Sequence, residues 1–90
     1  MRTVGVDPRK IVLGPGSVDM SRRDVIQELG LRETVRVRPR DGRYEIVSGE
    51  EAVRAILSLI DQTADCFDPH NGRTAKCAIV YETIPVKLMD

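Results

Sequence analysis

The sequence predicts an α+β fold in which a small mixed β-sheet packs against two main helices. Two segments, near residues 21–29 and 50–60, carry apolar residues at helical spacing. Several shorter segments alternate β-branched residues with polar ones, as half-buried strands do. With 90 residues, of which 41% are hydrophobic and 31% charged, the chain is expected to form a single domain, 1–90, around one core.

Composition narrows the class of protein further. The chain has no Trp and only one Phe, so the core must be aliphatic. No apolar run is long enough to span a bilayer, and no signal peptide opens the chain, so we expect a cytoplasmic protein without a membrane partner. The net charge is zero, with ten basic and seven acidic residues in 1–48 against four and seven in 49–90. That asymmetry alone does not indicate nucleic-acid binding.

The first third of the chain predicts a strand and a helix. Thr3–Val6 is the strand, and the following Asp-Pro pair turns the chain. Residues 11–13 either extend that strand or pair with it. Ser21 is expected to cap the helix through its hydroxyl, and Gly30 is expected to end it.

A β-hairpin is predicted next, from the alternation over Thr34–Arg38, a turn at 39–42 and a returning strand at Arg43–Val47. It brings together four arginines, Arg36, Arg38, Arg40 and Arg43. Because guanidinium forks bind phosphate well, we consider a nucleic-acid-binding ribbon here. The alternative is a solvated surface neutralised by the acidic residues nearby.

The stretch from Gly42 to Ala55 predicts a strand, a tight turn and the start of a helix. Ser48 and Glu51 have the spacing of a capping box, in which each side chain satisfies a main-chain N–H at the helix start. Gly49 allows another backbone or a ligand to approach the first turn. A helix start can hold an anion, unless the two capping side chains occupy those N–H groups themselves.

The segment after the second helix leaves the state of the cysteines open. If Asn71-Gly72 is a two-residue hairpin turn, Cys66 lies opposite Cys77, with Cα atoms roughly 4.5–5.5 Å apart and in disulfide range. Two reduced, buried thiols are the alternative. A metal site from Cys66, Asp68, His70 and Cys77 is a third arrangement, but its spacing matches no zinc signature, so no metal is predicted. Two strands, 77–81 and 84–88, are expected to follow.

Four segments, in this order, resemble the ParB N-terminal domain family, which shares its fold with sulfiredoxin and with free-serine kinases. They are Val4–Ile11, Leu29–Arg38, Gly42–Ala55 and Thr83–Leu88. The third is similar to the family's Gly-Glu-Arg-Arg motif, here in degenerate form. The resemblance implies a ParB/sulfiredoxin-like domain of a prokaryotic protein, with nucleotide phosphates held at the helix start.

Residue by residue, the match to that motif is partial. Arg54 matches its last arginine, whereas Glu51 and Ala52 stand at the first two arginine positions. Glu50 stands where sulfiredoxin has its reactive cysteine, so that chemistry is not expected. By this resemblance, Gly49, Arg54 and Arg43 would contact the phosphates of a nucleotide, bound with or without Mg²⁺.

Three hypotheses for function follow. The first is a stand-alone ParB-like module that binds a nucleotide or DNA phosphates, with Arg36, Arg38 and Arg40 as the nucleic-acid contacts. The second is a small phosphoryl-transfer enzyme or nuclease in which Glu50 or Glu51 is the general base or holds a divalent cation. The third is a protein-interaction or regulatory domain that binds no small ligand.

Overall fold

The structure, a computed structural model, describes residues 2–89 and confirms the α+β prediction. The strands are β1 (Arg2–Val6), β2 (Ile11–Val12), β3 (Val35–Arg40), β4 (Arg43–Ser48), β5 (Asp65–Asp68), β6 (Arg73–Lys76) and β7 (Ile84–Leu88). The helices are α1 (Met20–Leu29), α2 (Glu50–Asp61) and the single turn α3 (Cys77–Val80), with a 3₁₀ turn at Pro8–Lys10.

The main sheet is mixed, as predicted, and has the strand order β1-β7-β3-β4-β2. β1 and β7 are antiparallel, as are β3 and β4, whereas β7–β3 and β4–β2 are parallel pairs. The expectation that residues 11–13 extend or pair with β1 is wrong, because β2 pairs with β4 at the other edge. The 3₁₀ turn at Pro8–Lys10, capped by Asp7, separates β1 from β2.

One face of this sheet packs against the helices and forms an aliphatic core. Val35, Val37 and Val86 are almost fully buried there, since strand alternation directs every second side chain inward. α2 contributes Ala52, Val53, Ala55, Ile56 and Leu59, all fully buried. The opposite face of the sheet is therefore composed of the intervening residues.

The β3–β4 hairpin is confirmed, with a tighter turn than predicted. Arg40 pairs with Arg43, so only Asp41 and Gly42 form the turn, with φ angles of 50° and 78°. Positive φ at both positions is the mark of a type I′ turn, whose twist matches that of the strands. A bulge at Val47 shifts the register, because Arg36 pairs with Ser48 whereas Val37 pairs with Ile46.

Both predicted helix caps are wrong. Asp19 caps α1, since its carboxylate accepts hydrogen bonds from the N–H groups of Ser21 (3.0 Å) and Arg22 (3.2 Å). A carboxylate is the stronger acceptor for N–H groups at a positive helix end. α2 has Gly49 as its N-cap residue and no side-chain cap. Ser48 is instead the last residue of β4, and its Oγ accepts from Nη1 of Arg36 at 3.5 Å.

The two-residue turn considered at Asn71-Gly72 does not form. β5 and β6 pair Asp68 with Arg73, which leaves a four-residue turn at 69–72. The Asp68 carboxylate accepts from the N–H of His70, and its carbonyl accepts from the N–H of Gly72, both at 2.9 Å. These bonds close the longer turn. The strand predicted at 77–81 is a helical turn, α3.

The two cysteines nevertheless meet. Cys66 on β5 and Cys77 at the start of α3 have Cα atoms 5.1 Å apart and form a disulfide in the structure. Both are fully buried between β5, α3 and the main helices. Within residues 2–89 no group of three His, Cys, Asp or Glu side chains is arranged to hold a metal ion, and His70 is exposed.

Candidate functional site

The start of α2 is shaped by Gly49. This residue has φ of 87°, a left-handed conformation that side chains disfavour. A Cβ atom here would lie 3.0 Å from Cα of Val35 and 3.1 Å from the carbonyl oxygen of Thr34. The glycine is thus required for close contact with the beginning of β3, rather than to admit a ligand.

Arg54, one turn into α2, is held by groups of the chain itself. Its Nη2 lies 2.6 Å from Oε1 of Glu50 and donates a hydrogen bond of 3.0 Å to the carbonyl oxygen of Gly14. The loop before α1 packs on the same guanidinium, since a Cβ on Gly16 would lie 2.9 Å from Nη2. The Arg54 side chain is only 13% exposed. Its charge is therefore already neutralised and largely covered.

The second carboxylate of this turn, Glu51, is also paired. Nη2 of Arg22, on α1, lies 3.0 Å from Oε2 of Glu51. Arg22 also contacts Glu33 directly and lies 3.9 Å from Asp19. Sequence reasoning missed this link, although an arginine in the first turn of α1, where the helix dipole disfavours it, was a signal that it had an anionic partner.

Together these contacts close the α2 start to anions. The two acidic side chains complement the positive end of the helix dipole, and each has its own arginine. An approaching phosphate would be repelled by both carboxylates. In the described part of the chain, neither Glu50 nor Glu51 belongs to a group of three His, Cys, Asp or Glu side chains that could hold a metal ion.

The outer face of the main sheet is different. The register places eleven residues on it, and we call this surface the open face: Thr3, Gly5, Val12, Arg36, Arg38, Arg40, Arg43, Glu45, Ser48, Pro85 and Lys87. Most are exposed, and Arg36, Glu45, Ser48 and Lys87 are half-buried. Five cations and one carboxylate thus share a solvent-facing surface on a chain with no net charge.

The basic residues of the open face form a row with a flank on each side. Arg36, Arg38 and Arg40 project from β3 at intervals of about 6.8 Å, two residues of a strand. Lys87 pairs with Arg36 on one side, and Arg43 pairs with Arg40 on the other. Arg40 is the most exposed of the row, with 70% of its side chain accessible, against 48% for Arg38.

A groove of about 430 Å³ lies at the β4 and β2 end of the open face. It is lined by Val12, Arg40, Asp41, Arg43, Tyr44 and Glu45. Val12 is half exposed, so an apolar patch borders the arginines. Tyr44 is the aromatic residue of this lining; alternation along β4 places it on the core side of the sheet, where it is half-buried and packs against the core.

The structure therefore groups the sequence-predicted site residues into two separate regions. Arg36, Arg38, Arg40 and Arg43 come together on the open face, whereas Gly49, Glu50, Glu51 and Arg54 belong to the α2 start. Arg43 does not join Arg54, as a shared phosphate site would require. Sequence reasoning missed Lys87 as a site residue, although the alternation of Ile84 and Val86 with Pro85 and Lys87 indicated that it faces away from the core.

Comparison with known proteins adds no assignment. No family model, no curated protein and no solved structure matches the chain. Among the helices of residues 2–89, none has the length and apolar character needed to cross a bilayer.

Proposed function

We propose that this chain is a module that binds the phosphate backbone of nucleic acid through the open face. The observation that carries the proposal is the row of three arginines on β3, flanked by Arg43 and Lys87 on the same solvent-facing surface. Arginine forks bind phosphate oxygens in pairs, and an open sheet face allows an extended chain to contact several of them at once.

The composition of the open face favours contacts to the backbone over recognition of bases. None of its eleven residues is aromatic, so the open face itself does not supply the stacking that anchors bases on many single-strand-binding proteins. Binding that rests on phosphate contacts is insensitive to sequence and depends strongly on salt. We expect dissociation constants on the order of 10⁻⁴ to 10⁻⁶ M at physiological salt.

The α2 start supports the other hypotheses less well. Glu50 and Glu51 already form ion pairs with Arg54 and Arg22, so the geometry favours neither a general base nor a site for a nucleotide with Mg²⁺. Kinship with the ParB N-terminal domain family is compatible with a phosphate-binding module and stays a prediction. The closed α2 start also fits a protein-interaction domain, whose partner would need an acidic surface to match the open face.

The test is a salt titration of binding to a fluorescent single-stranded oligothymidylate, followed by anisotropy. With up to five phosphates neutralised, log K should fall with log salt at a slope of about −3.5. The double variant Arg38→Gln/Arg40→Gln should reduce the steepness of that slope by about 1.4, because two contacts are lost.

The control removes the same charge elsewhere. Arg32 lies in the loop before β3 and Arg73 lies on β6, and both are exposed. Arg32→Gln/Arg73→Gln should leave the slope unchanged. A slope near zero for the natural chain, or equal losses in the test and control variants, would refute the proposal.

A further inference from the structure

The strands of the main sheet carry a single acidic residue among the described positions, and it lies at the centre of the open face. Glu45 is directly opposite Arg38 in the β3–β4 ladder. Its Oε2 accepts a hydrogen bond of 2.7 Å from Nη1 of Arg40, while its Oε1 lies 3.6 Å from Nη1 of Arg38. One carboxylate is thus shared by the two most exposed arginines of the β3 row.

We propose that Glu45 is a specificity-determining residue that restricts the open face to extended polyanions and excludes isolated phosphates and mononucleotides. This inference rests on the proposed function and adds the class of ligand. Glu45 occupies the place that a ligand phosphate would take between two guanidinium groups. A ligand must displace it before it gains either arginine.

Effective concentration gives the physical reason. A carboxylate fixed on the neighbouring strand competes at an effective concentration that is millimolar or higher, since it is part of the same molecule. An isolated phosphate meets this competitor with only two cations to gain. A polymer can also bind through Arg36, Arg43 and Lys87, which form no ion pair with Glu45, so its binding depends less on displacing Glu45.

The contacts of Glu45 indicate that it affects ligand binding more than it affects the stability of the fold. Its side chain is 39% exposed, and its partners Arg38 and Arg40 are both exposed residues. Ion pairs at such positions contribute little to folding. Replacement by glutamine keeps the shape of the side chain while removing the charge that competes with phosphate.

The experiment compares Glu45→Gln with the natural chain on two probes, the oligothymidylate and inorganic tripolyphosphate, by isothermal titration calorimetry at low salt. We expect tripolyphosphate to bind roughly fivefold more tightly to the variant, the upper range for an exposed ion pair, and the oligothymidylate about twofold. The preference for the polymer should therefore fall. Glu28→Gln, the same charge change on α1, should alter neither affinity by more than a small and equal factor.

A second comparison shows whether Glu45 acts through its arginine partners. In an Arg38→Gln/Arg40→Gln background, Glu45→Gln should give no gain, whereas a general charge effect would persist. Circular dichroism confirms folding, and Glu45→Thr, which suits a strand, replaces Glu45→Gln if the latter does not fold.

The outcomes separate the two claims. If Glu45→Gln leaves the preference for polymer unchanged while Arg38→Gln/Arg40→Gln weakens oligothymidylate binding, the role of Glu45 is refuted and the proposed function stands. A gain equal to that of Glu28→Gln refutes it in the same way. If the natural chain does not bind the oligothymidylate at low salt, both fail.

Discussion

The α2 start and the open face both carry arginines, yet they differ in what those arginines already contact. At the α2 start, Arg54 is 13% exposed and is bonded to Glu50 on its own helix and to a loop carbonyl. On the open face, Arg40 is 70% exposed and shares Glu45 with Arg38. At the α2 start the arginine charge is used in contacts within the folded chain, whereas on the open face most of the arginine side chains remain exposed to solvent.

This difference shows that an arginine matched to a motif is only as available as its neighbours allow. Arg54 is the residue that matches the ParB-like motif, but Glu50, one helical turn away, forms an ion pair with it. The hairpin arginines belong to no complete motif, and strand alternation places them in a row. Availability therefore depends on the pairing of each charge, which a motif does not describe.

The largest expected effect compares two glycines, Gly49 at the α2 start and Gly42 in the β3–β4 turn beside the open face. Gly49→Ala should lower the free energy of unfolding by about 3 kcal/mol, because φ of 87° is strained for alanine and its Cβ would clash with the Val35 main chain. Gly42→Ala has the same sign of φ but nothing within 4 Å, so it should cost about 1 kcal/mol. Urea denaturation measures both. Equal losses would show that the α2 start is not tightly packed on β3.

The next largest effect is expected from reduction of the Cys66–Cys77 disulfide, which should change stability but not binding at the open face. The disulfide closes a loop between residues 11 apart, so its reduction should lower the free energy of unfolding by about 2 to 3 kcal/mol. Oligothymidylate affinity should not change below the unfolding transition, since the disulfide joins β5 to α3. Urea denaturation with and without dithiothreitol measures the loss. The Cys66→Ala/Cys77→Ala variant should show no response to the reductant, and an unresponsive natural chain would contradict the bond.

The smallest expected effects compare Arg54 at the α2 start with Arg38 on the open face, in both stability and binding. Arg54→Gln should cost about 1 to 2 kcal/mol of stability, because it removes charge-assisted hydrogen bonds from a mostly buried side chain, and should leave oligothymidylate affinity unaltered. Arg38→Gln should change stability by less than about 0.5 kcal/mol and reduce the steepness of the salt slope by about 0.7. Urea denaturation and anisotropy give both quantities. If Arg54→Gln weakened binding as much as Arg38→Gln does, the two regions would form one site.

Much of the fold could be predicted because hydrophobic periodicity is set locally. The alternation at Val35 and Val37 and the helical spacing from Ala52 to Leu59 each identify an element and its buried face. The hairpin arginines followed from the same alternation. The position of Lys87 beside Arg36 was missed because the parallel pairing of β7 with β3 joins residues distant in sequence, which alternation within one strand does not show.

Other features depend on competition between neighbouring groups. Ser21 and Ser48 are both residue types that cap helices well. At α1, however, the Asp19 carboxylate is the cap, and at α2 Ser48 pairs with Arg36 and so belongs to strand β4. The β5–β6 register depends on the hydrogen bonds of Asp68, which lengthen the turn. The ion pairs of Glu50 and Glu51 arise from tertiary contacts, so sequence reasoning saw two carboxylates and not their partners.

The most direct test of binding through the open face is to follow backbone amide chemical shifts in the ¹⁵N-labelled chain while the oligothymidylate is added at low salt. If ligand binds to the open face, the shifts should change along β3, β4 and the residues around Lys87, while those of the amides from Gly49 to Val53 should not change. Changes centred on the start of α2, with the open face unaffected, would contradict it.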